Sequence, residues 1–145
     1  MTDPERHYRS LERMYLGAPT NEHYKPGIRI VEGSAEVTIE ARPELMHAAG
    51  SVHGSVYFKL LDDACFFAVN SLVDDVLVLT SSFNIYLTRP VSRGTMCGTG
   101  RLVHRSGRLF LAEGEVRDQE GHLVARGSGN FVRSNIKLDE SVGYR

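Results

Sequence analysis

The spacing of apolar positions changes along the chain, and each change marks an element. Tyr8, Leu11 and Tyr15 recur on one helical face behind a capping Asp3 and a first-turn Pro4. Residues 3–16 therefore read as a short N-terminal helix, stopped by Gly17 and Pro19, that lies on the body as a lid or brace. Pro26, Gly27 and Gly33 surround Ile28-Arg29-Ile30-Val31, which gives a loop, a short strand and a turn over residues 20–33. Val37 and Ile39 alternate with Glu36, Thr38 and Glu40 in a second strand over 35–41 that Pro43 ends.

After a small, polar loop from Leu45 to Gly54 the pattern turns apolar on all sides: Val56, Phe58, Leu60, Leu61, Cys65, Phe66, Phe67 and Val69. Residues 55–72 read as a helix, and a helix with no polar face is expected to be buried all round. The remainder alternates like strands. Val76–Thr88 carries Leu79, Phe83, Ile85 and Leu87 on one parity and closes at Arg89-Pro90. Strands follow at 95–104, 108–118 and 121–133, separated by the turns Arg105-Ser106-Gly107-Arg108 and Asp118-Gln119-Glu120-Gly121. The order predicts one α+β domain over 1–145, in which a curved antiparallel sheet wraps a long central helix and an extra N-terminal helix is added. A two-layer body of this size leaves helix surface to cover, and a second copy of the chain is expected to cover it about a two-fold axis.

Composition narrows the partners. With 145 residues, 41% hydrophobic, 24% charged and a net charge of −1, the chain has no bulk field to attract nucleic acid or an anionic membrane. An anionic ligand would have to be held by local arginines, for which Arg89, Arg93, Arg105, Arg108 and Arg133 are candidates; solvated strand-end charge is the plainer reading of the same set. The polar N-terminus and the lack of a long apolar run predict a cytoplasmic protein. Cys65 and Cys97 do not make a disulfide framework, and Cys65 reads as a core thiol rather than a nucleophile. His7, His23, His104 and His122 have no partners in the pattern and read as surface residues.

The candidate chemistry lies in the apolar helix, which just three charges interrupt: Lys59, Asp62 and Asp63. Carboxylates in such a setting must be paired, protonated or used. Asp63 lies one turn after Lys59 and is expected to pair with it, or with a group across a dimer, rather than to perform chemistry. One of the two carboxylates is the candidate for chemistry, and a purely structural role is the alternative for Asp62. At the helix start, His53-Gly54-Ser55 offers unpaired amides, a partial positive charge and a glycine that admits close approach.

Gly50-Ser51-Val52-His53-Gly54-Ser55 leading into Leu60-Leu61-Asp62, with Asn84-Ile85-Tyr86-Leu87-Thr88-Arg89-Pro90-Val91 and Gly94 later, resembles the hotdog-fold acyl-CoA thioesterases of the PaaI-like group over about residues 27–133. The resemblance implies a hotdog fold, hydrolysis of an acyl or aryl thioester to free acid and coenzyme A, no metal or organic cofactor, and a site at the interface of a homodimer or homotetramer. It places the catalytic carboxylate on Asp62, the carbonyl-binding amide on Gly54, the polar loop histidine on His53, and a water-positioning hydroxyl on Thr80. His47 stands where the family often has Asn, and Ser55 stands for the second Gly, beside the space for the acyl thioester. Arg105 and Arg108 lie on a turn that resembles a coenzyme-contacting loop, with Arg89 as a further substrate contact.

Helix geometry adds a constraint. Asp62 lies eight residues beyond Gly54, on the order of 12 Å along one helix at about 1.5 Å per residue. One chain cannot bring both to one carbonyl, so joint action requires Asp62 of one subunit to face the Gly54 end of its partner. Attack by the carboxylate and attack by a water it activates both stay open, as does the acyl length. The competing readings are His53 as a helix cap, a metal site from His47, His53 and Asp62, a noncatalytic acyl-CoA-binding or sensing module, and a hydratase, for which the chain lacks a close Asp-then-His pair.

Overall fold

The computed structural model describes residues 3–145. An N-terminal helix α1 (Pro4–Leu16) and a single turn α2 (Asn21–Tyr24) precede strands β1 (Gly27–Val31) and β2 (Ser34–Glu40). A helix α3 (Gly54–Asn70) then leads to β3 (Val76–Leu87), β4 (Thr95–Ser106), β5 (Leu109–Arg117) and β6 (Leu123–Lys137). All strands join one antiparallel sheet in the order β1-β2-β4-β5-β6-β3, which wraps α3 in the expected hotdog arrangement. Leu60, Leu61, Ala64, Cys65, Ala68 and Val69 of α3 are fully buried against it. β6 runs four residues past its expected end at 133, because Val76 of β3 still pairs with Lys137 there.

Missing side chains set how close the helix comes. A Cβ on Gly100 of β4 would meet the Ala64 carbonyl carbon and the Cys65 nitrogen at 2.5 Å, and one on Gly98 would meet the Leu60 carbonyl oxygen at 3.0 Å. α3 thus lies backbone against backbone on the sheet.

The helix ends at Asn70 rather than at 72, for a reason that periodicity does not carry. The buried Asn70 amide donates to the carbonyls of Val73 and Val76 at 3.0 and 3.1 Å, and its oxygen accepts from the Val78 amide at 2.9 Å. One polar side chain thereby closes α3 and starts β3. His7, expected at the surface, is 2% exposed. Its Nε2 donates to the Asn70 carbonyl at 2.8 Å, and its Nδ1 lies 2.7 Å from the Tyr144 hydroxyl, which ties α1 to both the helix end and the C-terminal segment.

α1 is a brace. Its apolar face, with Leu11 fully buried, is docked through Glu12, which accepts from the Ile30 amide at 2.8 Å, and Arg9, which donates to the Ile30 carbonyl at 2.6 Å.

Two expectations about burial need correction. α3 is not buried all round: Phe58 is 40% exposed, and Ser55, Asp62 and Phe66 continue the same open or half-open stripe. β3 also fails to keep one parity. Its register against β6 slips between Thr80 and Ser82, so Ser81 is a bulge. Before the bulge Val78 and Thr80 turn inward, after it Phe83 and Ile85 do, and Leu79 is left 44% exposed. β3 lies at the sheet edge with Leu87 and Tyr86 also open, at 53% and 67% exposure.

Candidate active site

The bulge in β3 aims Thr80 at the middle of α3. Its hydroxyl donates to Asp62 Oδ1 at 2.7 Å. The second oxygen, Oδ2, accepts no hydrogen bond among the described residues, and the side chain lines a cleft of about 710 Å³. Tyr15, Phe66, Phe67, Leu77 and Leu79 supply most of its apolar wall, and Arg13 and Arg145 also line it. Burial raises the Asp62 carboxyl above the ordinary carboxylate value; the Thr80 bond opposes this, neighbouring Asp63 adds to it and Lys59 opposes it.

Because the folded chain holds this proton more tightly than the unfolded chain, the stability that Asp62 leaves intact in acid is lost as pH rises through its raised value. Asp62→Asn, which can still accept from Thr80, is therefore expected to match the wild-type melting temperature in acid and to exceed it by a margin that grows toward neutral pH. Thermal melts across that range measure the margin, and a constant difference at every pH would contradict the shift.

The helix start forms a second cleft, of about 430 Å³, lined by His47, Ser51, Gly54, Tyr57, Leu87, Thr88 and Arg89 among others. His53 is the N-cap of α3, and its Nδ1 accepts from the Ser55 amide at 3.0 Å and pairs with the Ser55 hydroxyl at 2.8 Å. The Val56 amide donates to the His53 carbonyl at 3.0 Å. With those two amides occupied, Gly54 is left with an amide that has no acceptor among the described residues. The His47 Nδ1 accepts from the Ala49 amide at 3.1 Å, which shapes the loop before it.

Several predicted site residues are not brought together within one chain. Asp62 and Gly54 line separate clefts that share no residue. His53 and Ser55 face a third, smaller depression of about 240 Å³ with His23 and Tyr24, so His47, His53 and Asp62 do not converge as metal ligands would. Arg89 borders the Gly54 cleft, whereas Arg105 and Arg108 line neither cleft, and the Arg105 guanidinium lies 5.3 Å over the Phe110 ring. Asp63 pairs with Lys59 at 2.8 Å, one of the partners expected for it, but it also accepts from Tyr15 of α1, which the sequence pattern marks only as packing. Cys65 is buried with its thiol pushed up to about 12, which suits a core thiol and not a nucleophile.

His122, read as isolated, has company. Its donor atoms and those of Asp118 and Glu120 lie within 4.8 Å of one another on the β5–β6 turn. Asp118 Oδ1 accepts from the amides of Glu120 and His122 at 3.0 and 2.9 Å, so the cluster is accounted for as turn chemistry.

Comparison with known proteins agrees with this architecture. The model of the thioesterase superfamily matches residues 49–125, a span that holds the Gly54 loop, α3 and Thr80. A Mycobacterium tuberculosis protein named provisionally as an esterase is 31% identical over 97 residues, covering 64% of this chain and 69% of its own. Escherichia coli PaaI, from the phenylacetic acid degradation operon, superposes with a TM-score of 0.83 at 22% identity, over 94% of this chain and 99% of that one. An asparagine-to-aspartate mutant of the phenylacetic acid degradation protein PaaI from Thermus thermophilus gives 0.73 at 25% identity, over 81% and 100%.

Proposed function

The chain belongs to the thioesterase superfamily, a family of thioester hydrolases, and we propose that it cleaves an acyl-CoA, with an aliphatic or aryl acyl group, to the free acid and coenzyme A. The observation that carries this reading is Asp62: a half-buried carboxylate on the wall of a largely apolar cleft, with one oxygen held by Thr80 and the other without a hydrogen bond among the described residues. Hydrolysis needs a nucleophile at the carbonyl and a donor for the oxyanion. Asp62 supplies the first, by direct attack or by taking a proton from water, and burial raises its basicity for the second route. The free Gly54 amide at the positive end of α3 supplies the oxyanion donor. His47 and Arg89 on the Gly54 cleft contact the thioester arm and the coenzyme's phosphates. Arg105 and Arg108 extend that contact only for the part of the coenzyme that lies outside the cleft. The reaction calls for no metal or organic cofactor.

Because the two half-sites lie on separate clefts, the working site is assigned to two subunits paired about a two-fold axis, with the open stripe of α3 and the free edge of β3 as the covered surface. Two measurements test the proposal. Free-thiol release over a panel of acyl-CoAs is expected to show turnover, whereas tight binding without turnover would leave a noncatalytic acyl-CoA-binding protein. Co-expression of Asp62→Asn with Gly54→Val is expected to restore about a quarter of wild-type activity, because random pairing gives half heterodimers with one intact site each. No recovery would place both groups of each site on one chain.

A further inference from the structure

The two neighbouring carboxylates of α3 are held by different partners. Adjacent residues of a helix diverge by about 100°; Asp62 turns to β3 and Asp63 turns to α1. Asp63 Oδ2 accepts two hydrogen bonds at once, from the Tyr15 hydroxyl at 2.5 Å and from Lys59 Nζ at 2.8 Å. Lys59 is caged in turn, its Nζ 4.7 Å from the Tyr24 ring centroid and 5.3 Å from that of Tyr15. The Tyr15 ring packs edge-on against Phe67 at 5.1 Å, on a helix whose docking is fixed by Glu12 and Arg9.

We propose that Tyr15 and Lys59 are positioning residues for the reaction: they clamp Asp63 against α1 with its charge paired, so that of the two carboxylates on the cleft Asp62, bonded only by the neutral Thr80 among the described residues, is the one left to react. The extra N-terminal helix is thereby part of the catalytic apparatus and not only a brace. This rests on the reading of Asp62 as the reacting carboxylate. The clamp also fixes the charges that Asp62 feels. These are Lys59 and Asp63 on α3, and, on the cleft wall, Arg13 of α1 and Arg145. Tyr15 and Cys65 face the same region as neutral groups, because burial raises both well above their ordinary values, and β3 offers the neutral Thr80. Arg13 is occupied, donating to the Arg145 carbonyl at 2.6 Å.

Two readouts test the clamp. Carbon-13 NMR of aspartate-labelled protein follows the Asp62 titration directly, with its resonance identified by loss in Asp62→Asn, and the acid limb of kcat/KM follows it through turnover. Asp63→Asn, which removes a like charge, is expected to move both toward lower pH. Lys59→Met, which removes the opposing cation, should move both toward higher pH, and the double variant should return near wild type. Tyr15→Phe is expected to lower kcat about fivefold with KM unchanged, as loss of positioning without loss of substrate contact. A role in packing alone would move stability but leave the titration in place. Coincident titrations in wild type and Asp63→Asn would overturn the clamp, and that near-isosteric variant decides the matter even if Lys59→Met fails to fold. Turnover surviving in Asp62→Asn would instead overturn the functional reading, which the NMR titration does not depend on.

Discussion

Asp62→Asn is expected to lower kcat for acyl-CoA hydrolysis at least about a thousandfold, while the protein stays folded and continues to bind substrate. The substitution keeps the volume and the oxygen that Thr80 bonds. It removes the negative charge and the basic oxygen that either chemical route requires. No neighbour can substitute: Asp63 is engaged by Tyr15 and Lys59, and the Cys65 thiol is held neutral by burial. Thiol release in steady state, with the melting curve as a control for folding, measures the loss. Activity within tenfold of wild type would show that another group does the chemistry.

The second large effect is on stability. Gly100→Ala is expected to cost about 3 kcal/mol, more than most single substitutions. The added carbon would lie 2.5 Å from the Ala64 and Cys65 backbone, which belongs to the helix and has no rotamer with which to yield. α3 must then lift from β4, and the fully buried Leu60, Leu61 and Cys65 beside the contact lose packing together. Urea unfolding at a fixed protomer concentration reads the cost. Thr99→Ala, on the exposed face of the same strand, serves as the comparison. A loss below about 1 kcal/mol would mean that the helix-to-sheet spacing is not set at this glycine.

Much of this architecture was legible in the chain because it is written in period and punctuation. The strand-strand-helix-strand order, the apolar helix and the turns at Gly107 and Gly121 all follow from local pattern, and both glycines do adopt left-handed φ of 54° and 87°. The Lys59–Asp63 pair and the setting of Asp62 were legible for the same reason, since helical spacing fixes neighbours. What pattern misses is contact between distant segments. Nothing local announces that His7 reaches Asn70, that Tyr15 reaches Asp63, or that Asn70 stops the helix two residues early. The bulge at Ser81 is the sharpest case. Two adjacent serines in a strand were a signal that alternation breaks there, yet a reading that keeps one parity puts Leu79 inside and Thr80 outside, the reverse of what brings Thr80 to Asp62.

One feature of the sheet bears on how the chain survives its own synthesis. β3 runs twelve residues along an edge and contains no charged residue and no proline, the devices that ordinarily keep such a margin from recruiting strangers. The opposite margin, β1, is five residues long and carries Arg29. A newly released protomer therefore offers an unguarded template for misassembly until something caps it. Production yield should follow how quickly that happens, so slow expression at low temperature will favour recoverable protein over inclusion bodies.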